Sequence, residues 1–237
     1  CLCYPVWEHL NTRSFANVSE SVRLVKDGSL LFQPDTNFAY TSLGYNLTGP
    51  AIEQASGDTF GNYLNRAVFA PLDMVHSGLD SIPGAEEGLA GLYEVESGRY
   101  KRAFAVDNSI RWPSGGMLST PTDMVRLGAA MLDDRLLSEA ARTTLVTVPD
   151  GGRQADGAEI YALGWRNSPW KLHDGTLTTT AFHHNGTAVG SSSVFVVFPQ
   201  YKMVVSLMMN KGGTNVRDLM RASDAVAQAF IPIPSTE

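Results

Sequence analysis

The chain has 237 residues, of which 43% are hydrophobic and 18% charged, with a formal net charge of −6 and a pI near 5.4. This length can bury a full core, and the composition is typical of a globular protein rather than a disordered one. A negative net charge without a block of Lys and Arg argues against nucleic acid as a partner, because nucleic acid binding requires clustered cations.

The N-terminal residues carry two cysteines and one helix signal. Cys1 and Cys3 are too close for an ordinary disulfide with each other and too few for a zinc site. Asn17 followed by Glu20 has the pattern of a capping box and predicts a short helix. Because the chain starts without Met or a leader, we interpret residues 1–33 as the N-terminal remnant of a larger domain. The chain contains no run of about 18 apolar residues that would span a bilayer.

Residues 34–150 are expected to form a mostly helical lobe. Residues 45–56 have a helical pattern that either begins near Thr48 or is kinked by Pro50. Residues 59–69 place their apolar side chains on one face and predict a further helix.

The second half of this lobe begins with a region rich in Gly and Ser. Residues 75–108 are predicted to form short strands and loops. Thr120, Pro121 and Asp123 then give a clear helix start, with a cap, a proline at the first position and an acid at the third. Ser138 predicts the start of another short helix.

Residues 151–237 are expected to complete the same catalytic domain with a strand meander and a packed helix. In chain order the predicted pieces are a polar loop (150–157), a strand region that opens at 160–165, a polar turn (183–190), two apolar strands (191–198 and 203–209) and an amphipathic helix (214–230).

Two sets of side chains carry groups suited to catalysis. Tyr40 lies two residues before Ser42, where a helix is predicted to begin. A phenol serves as a base only where cations favour the phenolate, and a Tyr before a helix is also a common packing residue. His184, Asn185 and Gly186 combine a titratable ring with a glycine at a sheet edge, where backbone N–H groups are available to hold a developing oxyanion.

These residues stand in strings that resemble known motifs. Residues 32–45, FQPDTNFAYTSLGY, resemble the F-x-P-G-x-x-F-x-Y-S-N-x-G-Y pattern of class C β-lactamases and related esterases and peptidases. Residues 184–186 resemble that family's Lys-Thr-Gly or His-Thr-Gly motif. Residues 106–109, Trp112 and residues 188–190 are similar to its mitochondrial β-lactamase-like branch. Over most of its length the chain thus resembles the serine β-lactamase-like and penicillin-binding-protein-like hydrolases.

The resemblance implies an α/β (α+β) fold, in which an antiparallel sheet is flanked by helices and joined to a mostly helical lobe. It implies a serine hydrolase that acts by acyl transfer on an ester, amide, peptide or lactam, with no cofactor. The catalytic residues in this chain would be Tyr40, as a proton shuttle, and His184, which would tune the Tyr40 proton or contact the substrate.

The resemblance also implies a set of substrate-binding residues: Ser42, Trp112, Asn185, Gly186 and Thr187. Ser42 stands where the family has Asn and offers a shorter hydroxyl. Gly186 would leave room for a substrate to pair with the strand, the Thr187 N–H would be one oxyanion donor, and Trp112 would line the cleft. Neighbouring His183 is expected to point to the other face as a structural residue, because side chains alternate along a strand.

In this family the nucleophile is the Ser of a Ser-x-x-Lys motif that begins a helix upstream of the Tyr motif. The one Ser-x-x-Lys in this sequence, residues 168–171, falls in a predicted extended segment, where residues three apart point to opposite faces. We therefore expect an N-terminal segment of the same protein to supply the nucleophile. This chain alone is expected to be inactive towards a small-molecule or peptide substrate.

An alternative function is a non-catalytic binding or self-assembling scaffold that retains the fold, and this alternative is compatible with a homo-oligomer. A metal site is not expected, since His173, Asp174 and the two adjacent histidines lack the spacing of a zinc motif. The resemblance alone implies a periplasmic, secreted or mitochondrial location and does not choose among them.

Overall fold

The computed structural model describes residues 10–23, 26–34, 36–80, 88–149 and 160–233. These residues form a mixed α/β structure with antiparallel sheets. The helices are α1 (Val18–Val22), α2 (Ser42–Asn46), α3 (Thr48–Ser56), α4 (Phe60–Leu64), α5 (Pro121–Ala130), α6 (Glu139–Val146) and α7 (Val216–Phe230). The strands are β1 (Gly78–Leu79), β2 (Tyr93–Glu96), β3 (Arg99–Arg102), β4 (Met117–Leu118), β5 (Arg166–Leu172), β6 (Leu177–Ala188), β7 (Ser191–Phe198) and β8 (Met203–Met209).

The main sheet contains four antiparallel strands in the order β5-β6-β7-β8. Strands β7 and β8 have the predicted bounds, and their apolar composition fits a central strand and its neighbour packed between helices. The predicted opening of the strand region at 160–165 is wrong, because regular pairing begins only at Arg166.

The polar turn predicted over residues 183–190 is also wrong. The turn consists of Val189 and Gly190 alone, and residues 183–188 belong to β6. Gly190 has a φ of 70°, a conformation that favours glycine, so two residues suffice to reverse the chain. The polar residues before the turn stay extended because each pairs with a residue of the apolar strand β7.

One face of the sheet packs against α7 to form the main core. The helix begins after Asn215, whose side chain accepts a hydrogen bond from the Arg217 N–H. This confirms the predicted C-terminal helix. The buried apolar side chains of this core are Trp170, Leu172, Leu177, Ala181, Val194, Val196, Phe198, Val205, Leu219, Ala227 and Ile231.

Helix α5 packs against the other face of the sheet. As predicted, the Thr120 hydroxyl caps this helix by accepting a hydrogen bond from the Asp123 N–H, at 3.2 Å. Gly128 permits a close approach to β8, since a Cβ built there would lie 2.5 Å from Cγ1 of Val204.

The helical lobe contains the short helices α2 to α4. Helix α3 begins at Thr48, which decides between the two predicted alternatives and places Pro50 in its first turn, where a proline is tolerated. The predicted helix over 59–69 is α4 followed by a π-helical turn, Asn65–Phe69. The predicted polar loop at 150–157 lies outside the described residues.

The hairpin of β2 and β3 contacts the end of the sheet where β6 turns into β7. The Glu94 carboxylate accepts a hydrogen bond from the Gly190 N–H at 2.7 Å, and Asn210 Nδ2 donates to the Gly91 carbonyl at 2.7 Å. This hairpin therefore fixes the turn between β6 and β7. Within the described ranges, no helix is long and apolar enough to cross a membrane.

Candidate active site

Tyr40 lies in the loop that precedes α2, and the residue is 43% exposed. Two buried residues hold this helix: Leu43 is 2% exposed, and Asn46 donates from Nδ2 to the Ile110 carbonyl at 2.7 Å. The Tyr40 ring centroid lies 6.2 Å from that of His184, with 33° between the ring planes. The two rings thus lie close together, and their catalytic roles stay predictions.

The His184 imidazole makes hydrogen bonds at both ring nitrogens. Nδ1 lies 2.8 Å from the backbone carbonyl oxygen of Asn185, and Nε2 lies 2.8 Å from the hydroxyl of Tyr161. The ring is thus held at two points, one on its own strand and one on the segment before β5.

Tyr161 is the centre of an aromatic cluster around this contact. The residue is 5% exposed; its ring stacks on Phe38 at 5.3 Å and meets the Tyr40 ring edge-on at 5.6 Å. Sequence patterns missed Tyr161, because a single aromatic residue before a strand gives no local sign of its distant partners.

Arg166 adds a permanent positive charge to the cluster. Its guanidinium carbon lies 5.5 Å from the centroid of the Tyr40 ring and 5.3 Å from that of Tyr161. Both distances fall within the range of cation–π attraction. No local sequence pattern marks Arg166, which lies far from Tyr40 along the chain.

A further phenol, Tyr45, belongs to the same network. Burial raises the pKa of Tyr45, a hydrogen bond with Tyr161 lowers it in part, and the charge of Tyr40 raises it further. Tyr45 therefore remains a protonated hydroxyl over the ordinary pH range.

Among the described residues, no strand pairs with β6 beyond His183 on the side of β5, and we call this stretch the open edge of β6. Its pairing with β5 ends at the partners Arg166 and His183, whereas its pairing with β7 continues to Ala188. Ala188 and Ser191 flank a two-residue turn and so form a hydrogen-bonded pair.

Hydrogen-bonded and non-hydrogen-bonded pairs alternate along two antiparallel strands, and this alternation determines the direction of the next backbone N–H and carbonyl groups. Because Ala188 is hydrogen-bonded to β7, the N–H and carbonyl of Thr187 and of Asn185 point away from β7 and towards the open edge. The bond from His184 Nδ1 to the Asn185 carbonyl agrees with this direction. Gly186, between them, has no side chain to obstruct the edge.

His183 lies on the opposite face of β6, as predicted. It is 7% exposed, its ring meets Trp170 at 4.8 Å, and its Nε2 lies 3.4 Å from the Ser168 hydroxyl. Burial, and then the positive charges of Arg166 and His184, lower the pKa of His183 to about 4. Neutral and enclosed, it serves as a structural residue.

The Ser168 and Lys171 pair lies within β5, in the extended conformation expected from the sequence. Ser168 is half-buried beside His183, whereas Lys171 is exposed. Residues three apart in a strand point to opposite faces, so this pair cannot share a proton.

Two predicted substrate-binding residues remain to be located. Ser42 is the first residue of α2, two positions after Tyr40, and is half-buried. Trp112 donates its indole N–H to the Asp80 carbonyl at 2.8 Å and so fixes a loop of the lobe. The rings of Tyr40 and His184 both contact Tyr161. A substrate role for Trp112 stays a prediction.

Two open surface depressions lie elsewhere on the described part of the chain. One, of about 420 Å³, is lined by residues such as Tyr201 and Phe230, and the other, of about 440 Å³, by Tyr93, Tyr100 and Met209. Neither includes Tyr40 or His184. Among the residues that the structure describes, no group of three or more His, Cys, Asp or Glu side chains is arranged to hold a metal ion.

Comparison with known proteins gives a consistent result. A protein-family model described as Beta-lactamase matches residues 5–229. The chain is 31% identical over 205 residues to the mitochondrial serine beta-lactamase-like protein LACTB of Bos taurus, in a match that covers 78% of this chain. That match spans 37% of the length of LACTB.

Solved structures support the same fold. A D-stereospecific amidohydrolase from Streptomyces superposes with a TM-score of 0.75 at 20% identity, over 92% of this chain and 64% of that protein. An octameric penicillin-binding protein homologue from Pyrococcus abyssi gives a TM-score of 0.74 at 21% identity, over 90% of this chain and 47% of its own. At these identities the likeness concerns the fold alone.

Proposed function

The chain belongs to the β-lactamase family, and on this premise we propose that it contributes to a serine hydrolase site for acyl transfer to water. The observation that carries the proposal is the approach of the Tyr40 and His184 rings, at 6.2 Å, beside the open edge of β6. A phenol, an imidazole and outward-facing N–H groups beside one another can supply proton transfer and oxyanion binding, two of the functions that acyl transfer requires.

In this proposal Tyr40 relays the proton of the reaction. A serine oxygen attacks the carbonyl carbon of the substrate, and its proton passes by way of Tyr40 to the leaving oxygen or nitrogen as the acyl bond breaks. Water then attacks the acyl-enzyme by the same route, which releases the acid and regenerates the serine. The guanidinium of Arg166, above the Tyr40 ring, stabilises negative charge that develops on the phenol oxygen.

The edge of β6 binds the reacting carbonyl. The Thr187 N–H, which points away from β7, donates to the oxyanion, and Gly186 lets an extended substrate approach the strand. Asn185 and Ser42 flank the crevice and contact the acyl group. Trp112 extends the binding surface on the side of the lobe.

The nucleophile is proposed to be the serine of a Ser-x-x-Lys motif on an N-terminal segment of the same protein. The short span of this chain relative to LACTB, 37% of its length, is compatible with such a segment. The single Ser-x-x-Lys of this chain lies on β5, with its two side chains on opposite faces.

The test uses the full-length gene product, with its upstream sequence included. We expect it to hydrolyse a p-nitrophenyl ester or nitrocefin and to form a covalent adduct with a fluorophosphonate. Tyr40→Phe should abolish most of this turnover, while Tyr100→Phe, on an exposed residue of β3, should leave it unchanged. A folded full-length protein that neither turns over these substrates nor forms an adduct would refute the hydrolase proposal.

The alternative is a scaffold that retains the fold without catalysis. The fold shared with an octameric penicillin-binding protein homologue supports it. Light scattering on the full-length protein would reveal a defined oligomer. A defined oligomer without any covalent adduct would favour the scaffold, and an adduct lost in Tyr40→Phe would favour the enzyme.

A further inference from the structure

We propose that Tyr161 is a positioning residue, which holds the His184 imidazole in one tautomer and one ring orientation against Tyr40. Its consequence for turnover rests on the proposed hydrolase function, whereas the tautomer itself does not. The evidence is the pair of hydrogen bonds at the two nitrogens of the His184 ring.

The Asn185 carbonyl determines which nitrogen of His184 carries hydrogen. A carbonyl oxygen only accepts hydrogen bonds, so Nδ1, 2.8 Å away, must be the donor. In a neutral imidazole the other nitrogen, Nε2, then carries a lone pair. The Tyr161 hydroxyl, 2.8 Å from Nε2, must therefore donate to it.

The two hydrogen bonds of the His184 ring therefore have the same direction. They run in one sense, from the Tyr161 hydroxyl through His184 to the Asn185 carbonyl. Chains with one consistent direction strengthen their members.

The Tyr161 hydroxyl is itself well fixed. Its ring is buried, stacks on Phe38 and meets Tyr40 edge-on, so the hydroxyl has little freedom to turn away from His184. The contact between Tyr161 and His184 thus couples the segment before β5 to β6. It also sets the angle at which the imidazole faces Tyr40.

The test is the imidazole nitrogen spectrum of the full-length protein with ¹⁵N-labelled histidine, recorded above the ordinary titration range of histidine. His184 is assigned by its loss in His184→Gln. We expect hydrogen on Nδ1 and an Nε2 resonance shifted by hydrogen bonding. His173, whose Nε2 lies 2.7 Å from the Ile231 carbonyl and so carries the hydrogen, provides an internal reference for the opposite tautomer.

The Tyr161→Phe variant keeps the ring and removes only the donor. Its Nε2 resonance should move away from the wild-type value, because the hydrogen bond from Tyr161 is lost, whereas Tyr45→Phe, which removes a different hydroxyl, should leave the Nε2 resonance at the wild-type value. An unchanged Nε2 resonance in Tyr161→Phe would overturn the proposal. If that variant does not fold, the wild-type spectrum decides alone, since hydrogen on Nε2 would also overturn it.

Turnover is measured separately, so that the two proposals can fail independently. If the full-length protein hydrolyses esters, Tyr161→Phe should lower kcat by on the order of tenfold with KM within about twofold, because the ring is misplaced rather than removed. If the protein has no activity, the spectrum still tests the tautomer.

Discussion

The guanidinium of Arg166 lies over the ring of Tyr40, 5.5 Å from its centroid, at the point where β5 stops pairing with β6. Arg166 is therefore the last residue of β5 that pairs with β6, and it also holds a positive charge over the ring of the candidate proton shuttle. The edge of β6 beyond that point is not paired with β5, and the Tyr40 ring beside it lies within cation–π distance of the guanidinium.

The first prediction concerns Tyr40. In the full-length protein, Tyr40→Phe should lower kcat for a p-nitrophenyl ester by roughly 10²–10⁴-fold, the usual contribution of a general acid–base group. Thermal unfolding should change little, because the ring is 43% exposed and Phe preserves its contacts. A variant with wild-type kcat would remove Tyr40 from the mechanism.

The second prediction uses Arg166 and the buried His183. Arg166→Gln should raise the pKa of His183 above about 4, because the Arg166 charge is the second cause of its depression after burial. The pKa should still stay below the ordinary value of 6.5, since the burial remains. An NMR titration of His183 measures its pKa in the wild type and in Arg166→Gln. Arg99→Gln, on the exposed strand β3, is the matched control. An unchanged His183 pKa in Arg166→Gln would contradict the assignment of this effect to the Arg166 charge.

The third prediction concerns stability against pH. His183 binds its proton near pH 6.5 when unfolded but only near 4 when folded, so between these values the unfolded state holds more protons. Acid should therefore destabilise the fold across this window, by roughly 2–4 kcal/mol in total from this group.

Denaturant unfolding at several pH values measures this effect. His183→Gln should flatten the pH dependence between 6.5 and 4, while His76→Gln, at an exposed histidine, should keep it. If the free energy of unfolding depends on pH equally in the wild type and in His183→Gln, groups other than His183 determine the pH dependence.

The fourth prediction concerns the turn that follows the open edge. Gly190 has a φ of 70°, and a Cβ there would lie 2.7 Å from Cβ of Leu92 and 2.8 Å from Cβ of Ala103. Gly213 has a φ of 63° with no atom within 4 Å of the built Cβ. Gly213→Ala should thus cost about 1–2 kcal/mol from backbone strain alone, and Gly190→Ala distinctly more.

Equilibrium unfolding of the two alanine variants separates these contributions. Because Glu94 also holds the Gly190 N–H, the larger loss in Gly190→Ala should be accompanied by detachment of the β2–β3 hairpin, visible as faster amide exchange. Equal costs for the two substitutions would mean that packing against Leu92 and Ala103 contributes nothing.

The sequence by itself determined the elements whose causes are local. Thr120 caps α5 and the apolar runs of β7 and β8 end where predicted, because capping and periodicity act over a few residues. Motif resemblance also predicted that Tyr40 and His184 share a site, and the structure places the two rings 6.2 Å apart.

Only the tertiary structure decided which residues surround Tyr40 and His184. Residues 183–188 look like a turn in sequence, yet they are a strand because β7 supplies their hydrogen-bond partners. Tyr161 and Arg166 join the site through contacts with residues far along the chain, and no local pattern encodes such contacts. The direction of the His184 hydrogen bonds likewise follows from where the fold brings the Asn185 carbonyl and the Tyr161 hydroxyl.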